Sequence, residues 1–197
     1  MPGMLNRIAL CAAVLSAVPL AAQRSGPEDV QLRNDCRLAE QVVRTGEPAP
    51  HRGWAYSFIT RCPESGPATL VSRWQDTNTD ERTLQRLVIA SSRLATREVF
   101  EAVSNAARNS QSTPVVRIYA LSMLYGFAHP GRSVSVQDLL QGRESLRVRV
   151  YRVSGDGDRP NLVGDVTAQV EALLSEIIAS GGEPSVVRAA MTIRQLP

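Results

Sequence analysis

The sequence predicts an all-α fold of stacked helix pairs, and three observations predict it. A short pattern recurs: Pro48, Arg52 and Ala55 share their spacing with Pro184, Arg188 and Met191, and both prolines follow a Gly-Glu pair, Gly46-Glu47 and Gly182-Glu183. Between them, Leu84-Gln85-Arg86 leads to Ile89, and Pro114-Val115-Val116-Arg117 leads to Ala120. Arg52, Arg86, Arg117 and Arg188 are separated by 34, 31 and 71 residues, and a period of roughly 20–50 residues marks stacked repeats. Second, apolar residues fall at helical spacing over most of the chain. Third, Gly- and Pro-rich breakers cut that pattern into short, paired units.

The elements follow in order. Residues from about Asp29 to Arg44 read as a first helix, with Val30, Leu32, Leu38, Val42 and Val43 as its apolar positions. Pro48-Ala49-Pro50 marks the turn. His51 to Arg61 reads as the second helix, with Trp54, Ala55, Phe58 and Ile59 apolar, and the breaker cluster from Cys62 to Pro67 ends it. Ala68 to Trp74 is a short third helix. Asp80 caps the next, from about Glu81 to Leu94, where Leu84, Leu87 and Val88 recur at helical spacing. Arg97 to Arg108 follows, with Val99, Phe100, Val103 and Ala106-Ala107 facing inward. Ser112-Thr113-Pro114 supplies a capping hydroxyl and a first-turn proline, and its helix runs through Leu124 and Phe127 to His129-Pro130-Gly131.

The period then breaks between Gly131 and Gly164. Arg147, Arg149 and Arg152 interleave with Val148, Val150 and Val153, an alternation that suits a strand, and Ser133 to Val136 is its expected partner. Ser154 to Pro160 is turn-rich. Helix returns from about Asp165 to Ala179 and from Ser185 to Leu196. The irregular segment, about 131–164, reads as an insertion between the two halves of one repeat, and it accounts for the step of 71.

Arg7, an apolar run from Ile8 to Val18 and the small residues Ala21-Ala22 describe a secretory signal peptide over residues 1–22. The run is too short to span a bilayer, which needs about 20 apolar residues. Leu10 before Cys11 is not small, which argues against a lipoprotein. The remaining 23–197 form one domain. The net charge of +3 is small, and 22 basic residues against 19 acidic ones give no case for nucleic-acid binding. All 22 basic residues are arginine. No lysine is available for a Schiff base or a phosphate loop.

With Cys11 removed, Cys36 and Cys62 remain. An even pair in an exported chain favours a disulfide, and positions 12 residues before and 14 after Pro48 come level in an antiparallel hairpin. The alternative is two unrelated buried cysteines.

Val115-Val116-Arg117-x-x-Ala120-x-x-x-Leu124 and Val186-Val187-Arg188-Ala189-Ala190-Met191 resemble the first helix of a HEAT-like repeat. The resemblance covers about Asp29 to Leu196 apart from the insertion. It implies an exported bacterial member of an armadillo-type family, folded as a short right-handed α-solenoid with a loop or β-hairpin-like insertion. The repeat arginines are expected near the start of the first helix of each pair, reaching loop carbonyls or carboxylates at repeat junctions.

Candidate chemistry is sparse. Gly-x-Ser-x-Gly, His-Glu-x-x-His and phosphate-loop patterns are absent. His51 and His129 read as helix-end residues. Asp76-x-Asn78-x-Asp80 and Asp156-x-Asp158 lack the glycine and distant glutamate of a calcium loop and read as capping loops. Trp54 and Trp74 read as core. No catalytic, metal or cofactor site is assigned. The Arg147, Arg149, Arg152 stripe is the candidate interaction feature, set against a plain solvated strand face. Two functions remain open: a non-enzymatic scaffold that binds another protein of the envelope or extracellular space along its inner curve, or an exported enzyme with a site between the insertion and the helices.

Overall fold

A computed structural model of the chain describes residues 27–152 and 163–197. The expected signal peptide, most of the polar leader, the Ser154–Pro160 loop and the Asp156-x-Asp158 motif lie outside the described residues. Helix makes up 71% of what is described, about twice the globular average, so the all-α reading holds.

The helices are α1 (Pro27–Thr45), α2 (Arg52–Phe58), α3 (Gly66–Trp74), α4 (Glu81–Arg93), α5 (Arg97–Arg108), α6 (Pro114–Ala128), α7 (Val136–Leu140), α8 (Thr167–Ser180) and α9 (Pro184–Arg194). Short 3-10 turns flank α2 on both sides. Capping sets most of the starts. Asp80 accepts from the Thr83 amide at 3.0 Å, Thr113 from Val116 at 3.4 Å, and Ser135 from Asp138 at 3.2 Å, each satisfying an amide that the helix leaves unpaired. The α8 helix ends at Gly181, whose φ of 58° lies in the left-handed region that suits glycine.

The packing order is regular. Sequence neighbours α1 and α2, α3 and α4, α5 and α6, and α8 and α9 contact each other. Contacts also run from α1 to α3, α3 to α5 and α5 to α8, and separately from α2 to α4, α4 to α6 and α6 to α9. Consecutive hairpins therefore lie side by side, with their first helices in one row and their second helices in the other. The rows meet on the residues that periodicity selects: Leu84, Leu87 and Ala90 of α4, Val99 and Val103 of α5, and Leu173, Leu174 and Ile177 of α8 are all buried. Trp74 joins α3 to α4 by donating its indole N–H to Ser91 Oγ at 2.9 Å, inside the core.

Helix α6 is different. Eleven of its fifteen residues are buried, so it has no solvent face and must be enclosed by other elements. It contacts α4, α5, α8 and α9, and also β1 and α7 of the insertion. Strands β1 (Arg132–Val134) and β2 (Val150–Arg152) pair antiparallel with Ser133 opposite Tyr151. The hairpin is as expected, but the segment is not peripheral. Val134, Leu139 and Val148 are buried in the main core, and α7 also packs on α9.

Three expectations need correction. The insertion lies between α6 and α8, hence between consecutive hairpins, not inside one, because only five residues, 109–113, join α6 to α5. The repeat arginines accordingly sit on α2, α4, α6 and α9, the second helix of each hairpin. Apolar residues of α1 divide: Ala39, Val42 and Val43 are buried, whereas Val30, Leu32 and Leu38 are 46%, 42% and 44% exposed. For Val30 and Leu32 the reason is length, whereas Leu38 lies inside the covered stretch beside the inward Ala39 and turns to solvent. At 19 residues, α1 outruns the 7-residue α2 that covers it.

Cys36 and Cys62 form a disulfide with a Cα–Cα distance of 5.7 Å, within the usual range of about 4.4–6.8 Å. It ties α1 to the end of the turn that follows α2, where α1 begins to be covered. Replacing both cysteines by alanine is expected to lower unfolding free energy by about 2–4 kcal/mol, read from urea denaturation. An unchanged midpoint, or two thiols titrating in the native protein without reductant, would overturn the crosslink.

Candidate functional site

The arginine stripe does not form one exposed face. Arg147 belongs to a 3-10 turn, Ser145–Arg147, and the strand begins only at Val150. Arg152 lies opposite Arg132 across the hairpin. Arg149 is engaged: its Nε donates to Asp138 Oδ2 at 2.9 Å and its Nη2 to Oδ1 at 3.3 Å, a bidentate pair. The Arg149 amide also donates to Asp138 Oδ2 at 3.1 Å, and Arg143 Nε lies 3.2 Å from Oδ1. The three arginines are thus separated by a turn, and one of them holds the insertion together. The signal missed in the sequence is Asp138, an acid eleven residues before Arg149 on the helix that the hairpin folds over.

Asp138 has no exposed surface; two arginines that are themselves half-exposed cover its carboxylate. Hydrogen bonds from Arg149 hold its carboxyl far below the usual range, with burial opposing. Arg149 in turn lies 6.0 Å over the Tyr151 ring. This cluster fastens α7 to β2 and so keeps the insertion closed over α6.

The repeat arginines build junctions. Arg52 Nε donates to the Gly46 carbonyl in the α1–α2 turn, and Nη2 reaches Glu47 Oε1 at 3.2 Å. Arg117, 7% exposed, donates to the Ala107 carbonyl at the end of α5 at 3.0 Å. Burial pulls its guanidinium below the ordinary value and the Glu183 carboxylate opposes this. A similar relation occurs two repeats earlier. Thr83 hydrogen bonds hold the Asp80 carboxyl below its usual value, and the positive charge of Arg52 adds to the effect. In both cases an arginine at the start of one second-row helix lies within electrostatic reach of the acidic cap of the next. Arg188 lies against the insertion, its Nη1 packed where a Cβ on Gly142 would sit.

Other expected features sort themselves plainly. Asp76 accepts from the Asn78 amide at 3.1 Å and Asp80 caps α4, so that motif is a capping loop. His129 stacks against Tyr125 at 4.5 Å, and burial, with Arg132 nearby, lowers its pKa. Trp74 is core. Trp54 is 38% exposed and stacks on Phe58 at 5.1 Å, because Ala55, Tyr56 and Ile59 take the inward face of their segment. Among the described residues no group of three or more His, Cys, Asp or Glu side chains is placed to hold a metal. No described helix is long and apolar enough to cross a membrane.

Two grooves flank α5 on the first-row face. One, of about 430 Å³, lies between α3 and α5 over Val71, Trp74, Ala102 and Ala106, with Gln75, Asn105 and Asn109 along its edges. The other, of about 450 Å³, lies between α5 and α8 over Phe100 and Leu173, with Ser104, Asn105 and Gln169 along it. Both share Glu101 and Asn105 on α5. They match ligand grooves in size, and their edges carry charged side chains, Glu98 and Glu101 in one and Arg97, Glu101 and Arg108 in the other, beside the amides. Nothing in the sequence marks them, because each wall comes from a different hairpin.

The Asp138 cluster predicts a pH effect. Its folded carboxyl titrates below the unfolded value of 3.8, so its contribution is complete above that value and is lost as pH falls below it. Asp138→Asn should therefore destabilise the protein at pH 7 and speed amide exchange across 132–152, and its stability deficit relative to wild type should shrink between pH 4 and pH 2. A deficit that stays constant with pH counts against the ion pair as the fastening element.

No family model, curated protein or solved structure matches the chain, so the HEAT-like resemblance rests on its residues alone.

Proposed function

We propose that the protein is an exported, non-enzymatic scaffold of the HEAT-like, right-handed α-solenoid type that binds another protein of the envelope or extracellular space. The observation that carries this reading is the pair of grooves on either side of α5, open on one face of the helix rows. Neighbour-to-neighbour packing in two rows supports the solenoid, since each hairpin contacts mainly the next. The Arg52–Asp80 and Arg117–Glu183 relations support repeat equivalence. The disulfide supports an oxidising compartment, in line with a signal peptide over residues 1–22.

The binding face differs from the simplest expectation for a repeat array. The insertion covers the second-row helix α6, and α7 reaches α9. Gln137 of α7 also donates to Glu81 of α4 at 2.6 Å. That row is closed at its centre, which leaves the first-row face, α3–α5–α8, as the docking surface.

Asn105 is exposed and borders both grooves, so Asn105→Arg places a long side chain across them without touching the core. Immobilised mature protein should retain a specific protein from envelope extract, and Asn105→Arg should lose it by at least about tenfold, roughly the effect of a hot-spot change above 1 kcal/mol, with circular dichroism unchanged. Equal retention by both forms would remove this face from the proposal.

A further inference from the structure

Resting on the scaffold reading, we propose that the first-row face takes an extended, uncharged segment of the partner chain, read through its main chain across the α5–α8 groove and over α5. Two independent observations point to this occupant. Ser104 is 5% exposed and lines the α5–α8 groove, yet its Oγ has no hydrogen-bond partner. Serine and threonine hydroxyls inside helices ordinarily bond back to the preceding turn. Thr69 does so to Ser65 O at 2.8 Å, and Ser175 to Glu171 O at 2.9 Å. Ser104 does not, and a buried hydroxyl left unpaired is unfavourable until something supplies a partner. Three other buried side-chain atoms share this condition among the described residues, on Tyr56, Arg73 and Thr79, but these belong to α2, α3 and the loop before α4.

The second observation is charge. The ionic groups on the walls of the α5–α8 groove are paired. Arg97 Nε pairs with Glu101 Oε1 at 3.3 Å, and Arg108 Nε with Glu176 Oε2 at 2.9 Å, the latter linking α5 to α8. Glu98, on the α3–α5 side, takes its hydrogen bonds from neutral donors, its own backbone and Thr96, which favour its carboxylate form and leave a negative charge at that groove. In the α5–α8 groove a charged ligand finds no unpaired counter-charge, so complementarity there selects a neutral one. What is free is amide: Asn105 and Gln169 in one groove and Gln75 in the other, whereas Asn109 Oδ1 already accepts from the Gln111 amide at 2.9 Å. A side-chain amide offers both a donor and an acceptor, which matches the alternating N–H and C=O groups of an extended main chain. Phe100 and Leu173 then form the seat for one apolar side chain.

Length argues for a chain segment over a small molecule. The grooves share Glu101 and Asn105, so an occupant of both crosses α5. Two helix spacings of about 10 Å each amount to about six extended residues at roughly 3.3 Å per residue.

The test is an immobilised positional-scanning library of octapeptides, probed with the mature protein and two variants. The expected result is retention on uncharged sequences with a central aliphatic or aromatic residue. Ser104→Ala should bind these octapeptides about threefold to tenfold more weakly, the loss of one hydrogen bond, while its thermal unfolding midpoint rises, because an unpaired hydroxyl has left the core. Ala172→Arg, at an exposed groove position, should abolish binding with circular dichroism unchanged. Rising stability with falling affinity separates a ligand contact from general damage. Retention of charged sequences, retention of none, or Ser104→Ala binding as tightly as wild type overturns the proposal. If the protein still captures a partner in an Asn105-dependent way while no octapeptide binds, the scaffold reading stands and the partner docks as a folded surface.

Discussion

Helix α6 has no face that tolerates water. Ile118, Tyr119, Ala120 and Leu121 are consecutive, so they leave the helix about 100° apart and point all round it, and all are buried. Most helices in this chain are amphipathic and need covering on one side; this one needs it all round. Hairpin stacking meets part of the demand through α4, α5 and α9. The outer side is left, and the insertion closes it with β1 and α7. A segment that interrupts the repeat is therefore part of the core. Val134, Leu139 and Val148 belong to the same apolar cluster as the helices. The hairpin and its Asp138 fastening are a structural consequence of how apolar α6 is.

The repeat arginines solve a second problem. A turn between helices leaves carbonyls without partners, and a stack of hairpins brings several such turns together. Arg52 and Arg117 each donate to a carbonyl in or before the turn that precedes their helix, at Gly46 and Ala107. Each also lies within electrostatic reach of the acidic cap of the next helix in its row. Arginine suits this task because its guanidinium has several donors in a fixed plane and stays charged when partly buried. Arg86 precedes a threonine cap, not an acidic one, and it is the weakest match in the pattern. The periodicity of the sequence thus has a physical origin in turn and cap chemistry, and a ligand cluster is not needed to account for it.

Much of the local structure was legible because local rules dominate it. Thr113-Pro114 and Asp80 announce helix starts, and the structure places α6 and α4 there. Val148, Val150 and their arginine neighbours announce a strand, and it pairs where Ser133 suggested. The Cys36–Cys62 pairing followed from symmetry about one turn. What the sequence hid is non-local. The alternating segment placed Arg147, Arg149 and Arg152 in one strand, but a 3-10 turn delays the strand to Val150, and Asp138 captures the middle arginine from another element. The exposure of Val30 depends on how far α1 outruns α2, which periodicity does not report, and Trp54 turns outward because Ala55, Tyr56 and Ile59 take the inward face. The grooves beside α5 are the clearest case. Their walls are assembled from α3, α5 and α8, so no contiguous motif encodes them.

These constraints also explain why the two faces of the stack differ. A row of helices packed at regular spacing presents shallow grooves between neighbours on its outer surface. On the second-row side the insertion fills that relief over α6, and its contacts to α9 and Glu81 extend the cover on either side. On the first-row side nothing comparable intervenes among the described residues, and α5 stands between two open grooves. The ion pairs there run along α5 or across to α8, so they brace the walls without presenting free charge. A closed, apolar face and an open, amide-edged face thus follow from one asymmetry: the chain inserts its extra segment after a second-row helix and not after a first-row one. Had the same segment followed α5, it would lie against the open side, and the helix left uncovered would be α6, whose composition does not permit exposure.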